Sequence, residues 1–399
     1  MPHNAARPDG STRLSHLECA RCGTRHDAAR LHQRCECGGT LLCRYDLTAL
    51  DMGPVRARPP GTWRYRELLP VAGDAVSLGE PETPLLFAPR LSERWGVDVY
   101  LKDDSGLPGG TFKARGACVG LSRARELGVK RVVMPSAGNA GGAWSLYAAR
   151  AGLEITVTMA ATAPRANQAE VLAAGAELVL VDGSIADAGA RAAEIADDRG
   201  AFLAATFSEP YRLEGKKSSW LECFDRLGPG DTFGFPATIV LPVGGGVAAI
   251  AATKAAAEVV AAGWSEDNRP RIVGVQAANC SPIVRAFDRG DRDVAPWDGD
   301  PMTIAAGLRV PAPTEGGLVL DSVRGSGGTM VAAGEDEIIE AVRILASQEG
   351  IFACPEGAAT VAAADQLASE GDLVGPVLLY NTGSGAKYAE LLAAAGLHM

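Results

Sequence analysis

The chain has 399 residues, of which 47% are hydrophobic and 22% charged, and its formal net charge is −10. This length predicts two packed domains plus an appendage, and the composition is typical of globular proteins and not of disordered ones. The acidic balance argues against a nucleic-acid partner, because phosphate backbones are bound by clustered Lys and Arg. No segment has the length and apolarity of a membrane span, so a membrane partner is not expected either.

Four cysteines lie close together near the N-terminus, in the stretch LECARCGTRHDAARLHQRCECGG. They form a CxxC pair and a CxC pair: Cys19, Cys22, Cys35 and Cys37. Four thiolates on two turns suit a closed tetrahedral zinc site, so residues 1–47 are predicted to form a zinc-ribbon-like appendage. The alternatives are four free thiols in a surface hairpin, or a ligand set in which His26, His32 or Cys43 replaces one cysteine. Clustered cysteines and a polar N-terminus without a secretory signal predict a cytoplasmic protein.

Beyond the appendage, short apolar runs alternate with longer helical patterns. This alternation predicts an α/β fold with two doubly wound domains, each a parallel sheet with helices on both faces. We expect a linker and the first part of the larger domain at 48–94, the smaller domain at 95–207 and the rest of the larger domain at 208–399. The predicted strands are 98–102, 131–135, 154–160, 177–181, 237–243, 271–277 and 372–380.

Ligands of parallel sheets bind at the carboxyl ends of the strands, so the loops in those positions are candidate sites. The first such loop, SGLPGGTFKARGA at 105–117, places Lys113 at the start of a predicted helix. The positive end of the helix dipole and partial burial both favour the neutral, nucleophilic amine that forms a Schiff base. An ordinary exposed lysine at a helix start is the alternative.

Three further loops follow predicted strands. PSAGNAGG at 135–142 offers helix-start amides for an anion such as a carboxylate, with the Asn139 side chain as an additional donor. PVGGGVAAIAATKA places three glycines between a strand and a helix as a phosphate cradle that matches neither the dinucleotide fingerprint nor the P-loop. YNTGSGAKY at 380–388 supplies neutral hydroxyls, although Thr382 or Ser384 could simply cap a turn. Pyridoxal phosphate is one ligand that would use all four loops.

With these motifs the chain resembles the threonine synthases of the fold type II, or tryptophan-synthase-β-like, pyridoxal phosphate enzymes. The resemblance extends over nearly the whole length, and the N-terminal cysteine ribbon ending in CGG is part of it. The matching stretches are GTFKARG, SAGNAGG, EPYRLEGKKS, VGGG, TIAAGLRVP, CPEGAAT and NTGSG.

The resemblance implies a role for each matching residue. Lys113 would be the catalytic residue, which forms the Schiff base with the cofactor and later moves protons. The other implied cofactor contacts are Phe112, Asn139 at the phenolic oxygen, the amides of Gly244, Gly245, Gly246 and Val247 at the phosphate, and Thr382 at the pyridine nitrogen. The backbone of Ser136, Ala137 and Gly138 would bind the substrate carboxylate. As partners of the leaving phosphate we nominate Lys102, Thr111, Ser136 and Arg309.

The implied reaction converts O-phospho-L-homoserine and water to L-threonine and phosphate, by γ-elimination and β-addition of water in a homodimeric lyase. A second interpretation is β-elimination or β-replacement on another amino acid, such as phosphoserine, serine or threonine. It arises because Ala114 follows the lysine where this family often has Asp, and because Gly109 and Gly110 replace the usual Thr-Gly pair. A binding protein built around the ribbon is the third interpretation. The charges of Arg212, Lys216 and Lys217 are expected on a solvated helix start.

Overall fold

A computed structural model describes residues 11–136, 138–230 and 232–396 of the chain. Its strands are β1 (Leu14–Cys19), β2 (Arg25–His26), β3 (Leu41–Tyr45), β4 (Leu85–Phe87), β5 (Val99–Asp103), β6 (Arg131–Pro135), β7 (Glu154–Ala160), β8 (Glu177–Val181), β9 (Phe202–Leu203), β10 (Thr238–Pro242), β11 (Arg271–Ala277), β12 (Thr329–Ala333) and β13 (Val377–Asn381).

The α-helices are α1 (Gly53–Ala57), α2 (Pro89–Trp95), α3 (Lys113–Glu126), α4 (Asn139–Ala151), α5 (Arg165–Ala173), α6 (Ile185–Arg199), α7 (Tyr211–Leu227), α8 (Val247–Ala261), α9 (Pro282–Asp288), α10 (Gly316–Gly325), α11 (Glu335–Gln348), α12 (Pro355–Ser369) and α13 (Ala389–Ala394). Within the described ranges, none of these helices combines the length and the hydropathy needed to cross a membrane.

The N-terminal segment forms a small antiparallel sheet in the order β2-β1-β3. Its two cysteine pairs lie at the end of β1 and in the loop before β3. This sheet falls within the appendage predicted at 1–47, whose first ten residues lie outside the described part of the chain.

The second sheet has four strands in the order β8-β7-β6-β9, and all its pairings are parallel. The predicted strands at 131–135, 154–160 and 177–181 have the observed bounds. Each is followed by a helix, as the alternating pattern indicated. The two-residue strand β9 was not predicted, because so short a run has no recognisable periodicity.

The larger sheet has the order β12-β11-β10-β13-β5-β4, and it is parallel except for the edge strand β4. Its strand β5 pairs with β13, with Val99 beside Val377, so the predicted smaller domain at 95–207 is wrong at its first strand. The run DVYLK indicated a strand but carried no information about its partner. The α/β class with parallel sheets is confirmed.

A buried ionic network links α3 to the larger sheet. The guanidinium of Arg115 donates to Asp104 at 2.8 and 2.9 Å and to Glu222 at 2.7 and 2.8 Å. Lys102 donates from Nζ to Glu222 at 2.6 Å, and all four charged side chains are at most 1% exposed. Two cations therefore face two carboxylates, so the network is formally neutral. The network therefore fixes the position of Arg115, two residues after Lys113.

Replacing Arg115 by Met should lower the free energy of unfolding by about 3–5 kcal/mol, because two carboxylates stay buried with only Lys102 to balance them. The matched control is Arg131→Met, which breaks an ion pair to Glu154 whose side chains are 56% and 78% exposed. The control should cost less than about 1 kcal/mol. Urea unfolding followed by circular dichroism measures both. Equal losses would show that the network is not the main link between α3 and the sheet.

Candidate active site

A cavity of about 450 Å³ lies where β6, β10 and β13 reach their carboxyl ends beside the start of α3. This is the edge at which the sequence placed its candidate loops. The predicted site residues that line the cavity are Phe112, Lys113, Ser136, Gly138, Asn139, Gly244, Gly245, Gly246, Val247, Arg309 and Thr382.

Lys113 begins α3 within this cavity. The amide of the preceding residue, Phe112, donates to the carbonyl of Thr382 at 2.9 Å, which ties the start of the helix to the loop after β13. The Lys113 Nζ atom lies 4.5 Å from the centroid of the Phe112 ring. Burial lowers the pKa of Lys113 from its usual 10.5 to about 8; the Glu356 carboxylate opposes this shift and the Arg212 cation adds to it. The amine is therefore neutral at a much lower pH than an exposed lysine.

Two cations that the sequence placed at the surface line the cavity instead. Arg212 and Lys216 are each 6% exposed on the first turns of α7, so the expected solvated helix start is wrong. Lys216 Nζ lies 4.4 Å from the centroid of the Phe112 ring, and burial together with the cation of Lys113 depresses the pKa of Lys216 strongly. Lys217 is also buried, and it pairs with Glu214 at 2.7 Å outside the cavity.

A chain of hydrogen bonds runs from α4 to α12 along the cavity wall. Asn139 Nδ2 donates to the Tyr388 hydroxyl at 2.8 Å, and that hydroxyl donates to Glu356 Oε1 at 2.7 Å. The same carboxylate oxygen accepts the Gly307 amide at 2.6 Å. Asn139 Oδ1 and Glu356 Oε2 are buried without a hydrogen-bond partner among the described residues. Sequence reasoning gave no role to Tyr388 or Glu356, whose neighbours along the chain do not indicate this contact.

The three-glycine loop precedes α8 and has no room for a side chain at its first and third glycines. A Cβ at Gly244 would lie 2.2 Å from the Gly307 carbonyl oxygen, and one at Gly246 would lie 2.1 Å from a Val319 methyl group. Gly246 also has a φ of 82°, which disfavours other residues. Because the first turn of a helix has N–H groups without an intrahelical acceptor, this loop presents donors to an anion.

The loop between β6 and α4 is shaped by the hydroxyl of Ser136. It accepts the amides of Gly138 and Gly141 at 3.1 and 2.8 Å. A Cβ at Gly138 would lie 2.8 Å from Asn167 Nδ2, so a side chain there would displace the Asn167 amide group. Ala137, also predicted to bind substrate, lies outside the described residues.

Thr382 follows β13 and is 5% exposed. Its hydroxyl lies 3.4 Å from the thiol of Cys354, which also accepts the Gly357 amide at the start of α12. A neutral hydroxyl therefore lies at this end of the cavity, with a buried thiol behind it.

Two nominations for the leaving group are corrected by position. Lys102 belongs to the buried network under the sheet and does not line the cavity, because its Nζ is held by Glu222 and by the Thr83 carbonyl at 2.8 Å. Thr111 is 1% exposed and forms a bridge with Gly383, so it is not part of the lining either. Arg309 lines the cavity and donates to the Thr303 carbonyl at 3.0 Å.

The four N-terminal cysteines converge on one point away from these groups. Their ligand atoms all lie within 4.8 Å of one another, with Sγ separations of 3.5 Å for Cys19–Cys37 and 3.7 Å for Cys22–Cys35. A tetrahedron of sulfurs about 2.3 Å from a zinc ion has edges of about 3.8 Å, which matches this spacing. A Cβ at Gly39 would lie 2.6 Å from Cys19 Sγ, so the CGG turn leaves no room for a side chain.

Comparison with known proteins agrees with this geometry. The family model described as pyridoxal-phosphate dependent enzyme matches residues 76–383. A threonine synthase of Methanocaldococcus jannaschii is 34% identical and covers 92% of each chain. A threonine synthase of Methanosarcina acetivorans is also 34% identical, over 90% of this chain and 88% of that protein. Among solved structures, a threonine deaminase from T.th. superposes with a TM-score of 0.64 at 25% identity, over 76% of this chain and 92% of that one.

The chain therefore belongs to the pyridoxal-phosphate dependent enzymes. Within them, its similarity to two threonine synthases over about nine-tenths of its length confirms the resemblance found in the motifs.

The residues around the cavity fit pyridoxal phosphate. A lysine with a depressed pKa can react with the aldehyde, and the glycine loop before α8 can hold the phosphate. The partnerless polar atom of Asn139 and the hydroxyl of Thr382 leave polar contacts for the ring substituents. Each of these residues can therefore contact one group of the cofactor.

The apoprotein should capture pyridoxal phosphate, as an adduct that borohydride reduces, at a rate that rises with pH through a midpoint of about 8. The reason is that only the neutral amine of Lys113 reacts, whereas an ordinary lysine would give a midpoint of about 10. Glu356→Gln should lower this midpoint, because it removes the negative charge that holds the pKa of Lys113 up. Glu370→Gln, at the other end of α12, is the matched control. A midpoint that rises in Glu356→Gln would contradict the assignment.

Proposed function

We propose that the protein is a threonine synthase that converts O-phospho-L-homoserine and water to L-threonine and phosphate. The observation that carries the proposal is a cavity in which the reactive Lys113 lies among Arg212, Lys216 and Arg309, in a chain similar to threonine synthases over most of its length. Such a cavity suits a substrate with anionic groups at both ends, a carboxylate and a phosphate ester.

The loop between β6 and α4 is the proposed carboxylate site. The Ser136 hydroxyl accepts the amides of Gly138, just before α4, and of Gly141, in its first turn. The helix-start amides then hold the carboxylate near Lys113.

Lys113 is proposed to move the protons of the reaction. Pyridoxal phosphate supplies an electron-withdrawing system that makes the substrate's α-proton acidic. Since the pKa of Lys113 is about 8, the side chain can accept a proton at one carbon and return it at another near neutral pH. The Tyr388–Glu356 pair faces the same space and holds Asn139 in place.

The phosphate that leaves needs positive charge at the moment of departure. The Arg212 side chain is held in position by its ion pair to Glu209 and by hydrogen bonds to the Ala204 carbonyl and the Thr206 hydroxyl. Lys216 lies beside it, and Arg309 lines the same cavity. We therefore assign the leaving-group contact to Arg212, Lys216 and Arg309, in place of Lys102 and Thr111.

The second interpretation, elimination or replacement on another amino acid, rested partly on Gly109 and Gly110. These glycines have φ values of 74° and 67° and are not among the residues that line the cavity. They leave room for an ion pair between Lys387 and Glu170 at 2.7 Å, and Lys387 also donates to the Gly109 carbonyl. The departure from the family pattern at these positions thus accompanies a structural contact outside the cavity lining, so it does not by itself favour a different substrate.

The cysteine cluster is proposed to bind one structural zinc ion, with Cys19, Cys22, Cys35 and Cys37 as ligands. The support for this is the tetrahedral spacing of the sulfurs and the small size of the three-stranded antiparallel sheet. A homodimer in the cytoplasm is the remaining part of the proposal.

The cofactor-loaded protein should form threonine and phosphate in equal amounts from O-phospho-L-homoserine. Lys113→Ala should form neither product, because the methyl group left at that position cannot move protons. Lys130→Ala, at an exposed lysine just before β6, is the matched control and should keep full turnover. Coupled assays for both products measure the outcome, and phosphate released without threonine would favour the elimination enzyme instead.

Purified protein should contain one zinc ion per chain by elemental analysis. Cys37→Ser should lose most of the metal on gel filtration in the presence of a chelator, because a hydroxyl replaces one of four thiolate ligands. Cys280→Ser, at a buried cysteine outside the cluster, should keep it. A metal-free native protein whose mass shows disulfide bonds would refute the zinc site.

A further inference from the structure

The loop that carries the second cysteine pair, residues 27–40, contacts the wall of the cavity and is called the cysteine loop below. Gln33 Nε2 donates to the Leu203 carbonyl at 2.8 Å, and the Thr40 hydroxyl donates to the Phe207 carbonyl at 2.8 Å. Between these two anchors the chain passes through 204–206, and Ala205 and Thr206 line the cavity. The N-terminal sheet is therefore attached to a segment of the active site.

The wall segment, residues 204–207, includes a residue in an uncommon backbone conformation. Phe207 has a φ of 61°, an uncommon value for a residue other than glycine. Arg212 holds the segment from within the cavity through Ala204 and Thr206, while Thr40 holds Phe207 from the ribbon. The cysteine loop thus takes part in fixing the position of the wall.

Arg34 lies between the first anchor and the proposed cysteine ligand Cys35, and it lines the cavity itself. Its NH1 group donates to the Gly38 carbonyl at 2.9 Å and lies 3.6 Å from Glu315 Oε1. Its side chain is 31% exposed. A guanidinium has five N–H donors in a rigid fork, so these contacts leave donors on the other nitrogens for an anion.

We propose that Arg34 is a specificity-determining residue, which binds the anionic group at the far end of the substrate. The cysteine loop holds it in position, because the neighbouring backbone at Cys35 is fixed by the cluster and the CGG turn accepts the Arg34 hydrogen bond. The inference rests on the proposed function for the identity of that group, a phosphate ester. It makes the ribbon a part of the substrate site in addition to its structural role.

Steady-state kinetics of the holoenzyme test the proposal with three variants. Arg34→Gln should raise KM for O-phospho-L-homoserine about tenfold, the effect of losing one charge-assisted hydrogen bond, and leave kcat within about twofold. Arg34→Lys should recover part of the loss. Arg30→Gln removes an exposed charge of the same loop and should change nothing. A KM for Arg34→Gln equal to that of the Arg30→Gln control would overturn the proposal.

A binding measurement separates charge recognition from a general disturbance of the site. L-threonine, which lacks the phosphate, should perturb the cofactor absorbance of wild type and Arg34→Gln at the same concentration. Inorganic phosphate, titrated calorimetrically into the holoenzyme, should bind about tenfold more weakly to Arg34→Gln. Equal weakening for threonine and phosphate would show that Arg34 only maintains the wall, contrary to the proposal.

The phosphate titration also separates a failure of the proposed threonine synthase function from a failure of the proposed Arg34 contact. If wild-type enzyme does not turn over O-phospho-L-homoserine, the proposed function fails, whereas weaker phosphate binding by Arg34→Gln still supports the anion contact. Removal of the metal, checked by elemental analysis, should weaken phosphate binding in wild type but not further in Arg34→Gln. The same loss in both proteins would exclude a positioning role for the cysteine loop.

Discussion

The guanidinium of Arg115 is the contact on which the site depends most. Lys113 begins α3, and the first turn of that helix carries this arginine, whose donors are all directed to α7 and to the loops next to β4 and β5. Since a buried charge without its partners is strongly unfavourable, the helix start has one position relative to β5 and β13. The Tyr380 hydroxyl on β13 donates to the same Asp104 carboxylate at 2.7 Å, so both strands that flank the lysine share this anchor.

The cavity above this anchor has an excess of positive charge. Among the described lining residues, Arg34, Arg212 and Arg309 carry guanidinium groups and Lys113 and Lys216 carry amines, whereas Glu356 is the acidic one. Burial lowers the pKa values of the two lysines; Arg212 adds to the shift of Lys113, and Lys113 and Arg212 add to that of Lys216, which makes Lys113 a usable base. An anionic ligand relieves the repulsion, so ligand binding and the stability of this region are linked.

The sequence predicted the parts of the site that are local. Strand ends followed by glycine-rich turns identified Lys113, Asn139 and the three-glycine loop, because each is defined by a few consecutive residues. The failures concern long-range contacts. Lys102 was nominated because it lies near the end of a strand beside the site. Its ammonium group instead pairs with Glu222, 120 residues away in the chain, and does not reach the cavity. The charges on α7 were placed in solvent because most charges are, and only the fold shows which helix is buried. In the same way, the strand pattern of β5 could not reveal β13 as its neighbour.

The position of β13 in the larger sheet has a consequence for how the protein is made. It is the last of the described strands in chain order, yet it lies inside the sheet between β10 and β5. The two neighbouring strands cannot be joined until residues 377–381 leave the ribosome, long after the other strands of the sheet have been synthesised. The pocket for the cofactor is therefore completed by the strand that is translated after every other described strand, and a nascent chain that stops short of it exposes two open sheet edges to chaperones and to other chains.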